Sequence, residues 1–118
     1  AFIKTRPEVA RKFMRAYMKG LRDYVDALKD SRLAGPGAEE VVEIIARYST
    51  VKDKDVLRSI IPHYVDPDGA VGVESLRKDW AYYKEMKLIK GDVTIDQLVD
   101  DSFVAAAIRD LGPWKPGR

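Results

Sequence analysis

Apolar residues recur along this chain at helical spacing almost from its first residues. From about Arg6 to Asp30 the side chains of Arg11, Lys12, Arg15, Lys19, Arg22, Asp23, Asp26 and Asp30 fall within roughly 120° of a helical wheel. Apart from Arg6, Glu8 and Lys29 near its ends, everything else in that stretch is apolar or small. The apolar arc is therefore roughly 200° wide, about double the stripe that a surface helix buries. One edge is small (Val9, Ala16, Gly20, Ala27). The other is large (Phe13, Tyr17, Leu21, Tyr24, Leu28), with Met14, Met18 and Val25 beyond it. Thr5 followed by Glu8 has capping-box spacing, and Pro7 falls in the first turn, where its missing N–H does no harm. Gly20 weakens a helix by about 1 kcal/mol relative to Ala. Its place among small residues predicts the close approach of another backbone. The pattern predicts a helix packed against two layers at once, with Phe13, Tyr17, Leu21, Tyr24 and Leu28 as a candidate interface.

The remaining pattern predicts five shorter helices. Leu33-Ala34-Gly35-Pro36-Gly37 reads as a loop by its breakers. A second helix follows over about Ala38–Tyr48, with Glu39 and Glu40 at its positive end and Val41, Val42, Ile44, Ile45 and Tyr48 on its buried face. A third, about Asp53–Ile61, is capped by Asp53, anchored by Val56, Leu57, Ile60 and Ile61, and stopped by Pro62. Asp66-Pro67-Asp68-Gly69 is a turn, and Ala70 to Val73 is too short for a strand. A fourth helix over about Glu74–Lys87 has Leu76, Trp80, Tyr83 and Met86 as its inner stripe. Thr94 and Gln97 repeat the capping-box spacing and open a short helical turn to about Val99. Ser102 caps a last helix, Phe103–Leu111, ended by Gly112-Pro113. The fold class is all-α, with a domain over 1–113 and a polar tail over 114–118.

Composition narrows the function classes. The 118 residues are 46% hydrophobic and 34% charged, with 21 basic and 19 acidic residues giving a net charge of +2. That balance does not mark a dedicated nucleic-acid or membrane-surface binder. There is no Cys, so disulfides, thiolate metal sites and Cys nucleophiles are excluded. The bases of the first helix precede its acids, against the helix dipole, and Lys19–Asp23 and Arg22–Asp26 are spaced to soften that order. The stripe Arg11, Arg15, Lys19 and Arg22, with Lys12 beside it, has the charge to hold phosphates. Three aspartates share its face and no aromatic interleaves there, so a solvated face is favoured. His63 is the one histidine and has no patterned second ligand. Asp66 to Gly69 has the acids of a calcium loop but not its offsets, since Gly stands fourth and Ala70 fifth. Trp80 and Tyr83 read as core and Tyr82 as surface. No phosphate loop, nucleophile elbow or histidine pair is present, so no catalytic residue, metal site or cofactor is assigned.

The opening residues Ala1-Phe2-Ile3-Lys4-Thr5 read as the interior of a longer chain. Phe2-Ile3, Pro7-Glu8-Val9, Phe13, Ala16-Tyr17 and Gly20 together resemble the C-terminal part of the substrate-binding proteins of ABC importers. The branch is the one that includes sulfonate-, taurine-, nitrate- and thiamine-precursor-binding proteins. Asp66-Pro67-Asp68-Gly69, Val73, Trp80, Tyr83, Gly91, Asp96, Val99-Asp100, Phe103-Val104 and Ala107 continue the likeness to about Pro113. The resemblance implies a two-lobed, periplasmic-binding-type α/β fold of which this chain is a helical segment. It implies a non-enzymatic solute-capturing function, a small-molecule ligand held between closing lobes, and a membrane permease as partner. It implies a periplasmic or otherwise extracytoplasmic location, free or lipid-anchored. Most of the ligand cleft would lie outside this chain, so no ligand-contacting residue is carried over and the segment alone is expected not to bind ligand. The uncovered arc of the first helix is expected to drive self-association of the isolated segment. The alternative is a free-standing helical interaction module that dimerises through that helix. A nucleic-acid binder using the basic stripe ranks last.

Overall fold

A computed structural model describes residues 2–116; residue 1 of the expected domain and residues 117 and 118 of the expected tail lie outside the described residues. Helix accounts for 59% of the described residues and strand for 3%, so the all-α reading holds. The elements are α1 (Phe2–Thr5), α2 (Pro7–Asp26), β1 (Leu28–Lys29), β2 (Arg32–Leu33), α3 (Ala38–Tyr48), α4 (Lys54–Ser59), α5 (Val73–Glu85), α6 (Ile95–Leu98) and α7 (Ser102–Leu111).

The long first helix differs from its prediction at both ends. Thr5 does not cap it. Thr5 closes α1 and its hydroxyl donates to the Phe2 carbonyl at 3.2 Å. Arg6 occupies the N-cap of α2 without a side-chain cap bond, and Pro7 opens the helix. At the other end α2 stops at Asp26, four residues before the predicted stop. The chain instead turns into a two-residue hairpin, Leu28 pairing with Leu33 and Lys29 with Arg32. Asp30 and Ser31 form its turn with φ of 51° and 58°, the left-handed pair that suits the twist of a tight hairpin. The turn lets Leu33, 4% exposed, reach the same core as Ala27. Gly35 then donates to the Ala27 carbonyl at 2.8 Å. A Cβ at Gly35 would stand 3.0 Å from that carbonyl group and press on it, so glycine suits this close approach.

Two packed regions follow. In the first, Ala27, Leu33, Ala38, Val42, Ala46 and Leu57 join α2, the hairpin, α3 and α4, with Tyr24, Leu28, Val41 and Ile45 packed against them. α3 has the predicted bounds, and Ala38, Val42 and Ala46 are its buried line. Ile44 and Tyr48, predicted for that face, are 50% and 76% exposed. They lie roughly 120–160° around the helix from Val42. Asp53 caps α4 as predicted, accepting from the N–H groups of Asp55 and Val56. Only Leu57 of the four expected anchors is buried; Val56, Ile60 and Ile61 are 44%, 43% and 72% exposed. The second region joins α2 to α7 through Ala10, Met18 and Ala107.

α5 stands apart from both. It packs chiefly on α6, with an Arg77–Asp96 ion pair at 2.6 Å, and has no buried residue. Its expected inner stripe is not core: Leu76, Tyr83 and Met86 are 37%, 45% and 54% exposed, and Trp80 is half-buried. Among the described residues too little mass lies beneath the helix to cover that stripe. The Gln97 side chain accepts from the Thr94 N–H, as the capping-box spacing predicts. At α7 the N-cap is Asp101, not Ser102, and the Asp100 carboxylate accepts from the Ser102 N–H.

Candidate functional site

The arc of α2 is divided between covered and open sides. Ala10, Met14, Met18, Leu21 and Val25, at helical spacing, turn inward; Met18 is fully buried. The small edge is mostly open instead: Val9 is 50% exposed, Ala16 and Gly20 are exposed, and a Cβ at Gly20 would meet nothing within 4 Å, while Ala27 at its far end is buried in the first core. Among the described residues no backbone approaches Gly20 closely, which corrects that expectation. The candidate interface also splits. Phe13 and Tyr17 stand outward, stacked with ring centroids 6.3 Å apart. Leu21 is half-buried, and Tyr24 and Leu28 pack on the first core.

Hollows lie on both sides of Met14. One, of about 420 Å³, is lined by Phe2, Ile3, Val9, Ala10, Phe13, Met14 and Phe103. The other, of about 560 Å³, runs between α2 and the segment from Tyr64 to Gly72, floored by Met14 and Met18 and closed by Val104. Gly69 lets its wall come close: its φ is 70°, and a Cβ there would lie 2.8 Å from the Met18 sulfur. Together the stacked pair and the two hollows make an apolar surface with few polar groups to orient a small molecule. Its chemistry suits a protein surface better than a solute.

The basic stripe does not act as one unit. Arg11 pairs with Glu8. Arg22 turns inward, its side chain 13% exposed. Its Nη2 donates to Asp68 at 2.7 Å and to the Gly112 carbonyl at 2.6 Å, and its Nε to the Pro67 carbonyl at 3.3 Å. Asp68 also accepts the Trp114 N–H at 2.9 Å, and Asp26 accepts the Trp114 indole N–H at 3.1 Å. Arg22 therefore does not pair with Asp26, and Trp114, placed in the polar tail, is tied into the helical body. Two members of the reversed charge order of α2, Arg22 and Asp26, are thus held by distant partners. Nothing in the local pattern joins residues 22, 68 and 114.

The other singled-out residues have structural surroundings. The Asp66 carboxylate accepts the N–H groups of Asp68 and Ala70, as in a plain turn. His63 is exposed and its carbonyl accepts the Tyr24 hydroxyl at 2.9 Å. No cluster of metal-ligating side chains occurs among the described residues, and no helix among them is long and apolar enough to cross a membrane. Hydrogen bonding from Arg58 holds the Glu39 carboxyl below its ordinary range. Hydrogen bonds from Ser102 do the same for Asp100.

The chain matches no family model, no curated protein and no solved structure. Its functional reading rests on surface chemistry and sequence pattern.

Burial raises the Tyr24 pKa above 10.0. The folded state thus favours the neutral phenol, so this contribution is full below the unfolded value and fades as pH rises through the folded one. Tyr24→Phe is expected to cost about 1 kcal/mol near neutral pH, for the hydrogen bond to His63. It is also expected to flatten the loss of stability above about pH 10. Urea midpoints of both proteins on either side of that pH check this, and parallel alkaline losses would refute it.

Proposed function

We propose that this chain is the C-terminal helical portion of a solute-binding component of an ABC-type importer, which captures a small organic anion or related nutrient. The observation that carries the reading is the outward arc of α2, with Phe13 67% and Tyr17 52% exposed on a 20-residue helix. A helix so apolar on its open side is suited to lie against further protein mass, as a helical segment of a two-lobed α/β binding protein would. The same need for covering mass accounts for the unburied stripe of α5. The core and turn pattern from Phe2 to Pro113 supports the same family. In this reading the complete protein is extracytoplasmic, non-enzymatic, and delivers its ligand to a membrane permease.

The test is a thermal-shift screen of the complete reading frame against sulfonates, nitrate, aromatic acids and pyrimidines. One class is expected to raise the melting point, since a ligand at about 100 times its Kd adds about 2.7 kcal/mol. The 118-residue chain alone is expected to show no shift. A reading frame that begins just before Ala1, with no export signal, would reject the proposal. That result would favour a free-standing helical interaction module, which draws on the same exposed Phe13–Tyr17 stack.

A further inference from the structure

The uncovered side of α2 has the register of a helix–helix seam. Val9, Phe13, Ala16 and Gly20 are spaced four, three and four residues apart. That alternation keeps one line of side chains against a partner helix. Phe13 supplies a projecting ring, and Gly20, where even a Cβ would meet nothing within 4 Å, leaves a gap in the row of side chains beside it. Asp23, next in the register, ends the seam.

Lys12 and Lys19 stand immediately before Phe13 and Gly20, the flanking position whose charge selects a partner in paired helices. Both are exposed, and neither is within salt-bridge distance of a carboxylate among the described residues. Ala10 and Tyr17 occupy the opposite flank. A second copy therefore fits this face poorly. Antiparallel pairing would set Lys against Lys, and parallel pairing would set Lys against Ala10 or Tyr17, with no acid in either case.

We propose that this face docks an amphipathic helix from outside the chain, apolar along one stripe and carrying Glu or Asp on the flank that meets Lys12 and Lys19. An anionic lipid surface would satisfy the lysines, but it has no use for a seam with a gap at Gly20. This partner chemistry draws on the same open side of α2 as the importer reading, but its charge preference is tested on Lys12 and Lys19 and does not depend on that reading.

The test titrates the 118-residue chain with two labelled peptides that share a leucine stripe, one flanked by Glu and the other by Lys. The Glu peptide is expected to bind about ten-fold more tightly, the sum of two favourable pairs and two avoided repulsions, with the difference shrinking at high salt. The double variant Lys12→Glu/Lys19→Glu, shown by circular dichroism to keep its helix content, is expected to reverse the preference. Gly20→Leu is expected to weaken both peptides by filling the gap. Equal binding of the two peptides, binding of neither, a dimer dissolved by Phe13→Asp, or preference for phosphatidylserine-containing vesicles would each overturn the proposal.

Discussion

Arg22→Ala is expected to lower the unfolding free energy by roughly 2–3 kcal/mol and to release Trp114 from the body of the protein. The guanidinium reaches three acceptors from two distant parts of the chain: Asp68 and the Pro67 carbonyl in one turn, and the Gly112 carbonyl after α7. Removing it leaves the Asp68 carboxylate, 32% exposed, without its cation. Partial exposure keeps the loss below that of a fully buried pair. Arg22→Lys is expected to recover less than half, because one ammonium cannot reproduce the planar fork. Urea denaturation measures the loss, and Trp114 fluorescence reports the local release. A double-mutant cycle with Asp68→Ala is expected to show clear coupling. A change within about 0.5 kcal/mol for Arg22→Ala, the range of ordinary surface substitutions, would show that the clamp holds nothing.

Met18→Ala is expected to cost more, roughly 3 kcal/mol, with a fall in melting temperature of about 10–15 °C. Met18 is fully buried where α2 meets α7, and its sulfur lies under Gly69, so truncation opens a hole that neither helix can readily close. Such a loss is a large share of the roughly 6–18 kcal/mol that a domain of this length holds. Met18→Leu, which conserves volume, is expected to stay within about 1.5 kcal/mol of the parent. A scanning-calorimetry trace for Met18→Ala within two or three degrees of the parent would mean that this region is not a working core.

Elements set by near neighbours were legible in the sequence. Gly37 before Glu39 and Glu40 placed the start of α3, and Asp53 placed the cap of α4. The hairpin after α2 was not legible, because Asp30-Ser31 lacks the glycine that marks such turns and Leu28 continues the helical apolar pattern. The excess of apolar surface on α2 was legible as an amount. The side to be covered was not: α7 covers Ala10 and Met18, while Val9, Ala16 and Gly20 stay open. Of the candidate interface, only Phe13 and Tyr17 remain outward, since Tyr24 and Leu28 join the core around Val42.

The order of amino acids by itself determined that the chain is helical, where most helices begin, and that α2 carries more apolar surface than one stripe requires. Those properties depend on residues within about four positions of one another, which is the reach of a helical turn. Only the tertiary structure decided which arc of α2 stays open and that Arg22, Asp68 and Trp114 meet. Those outcomes depend on groups 46 or more positions apart in the chain, and local spacing carries no record of such meetings.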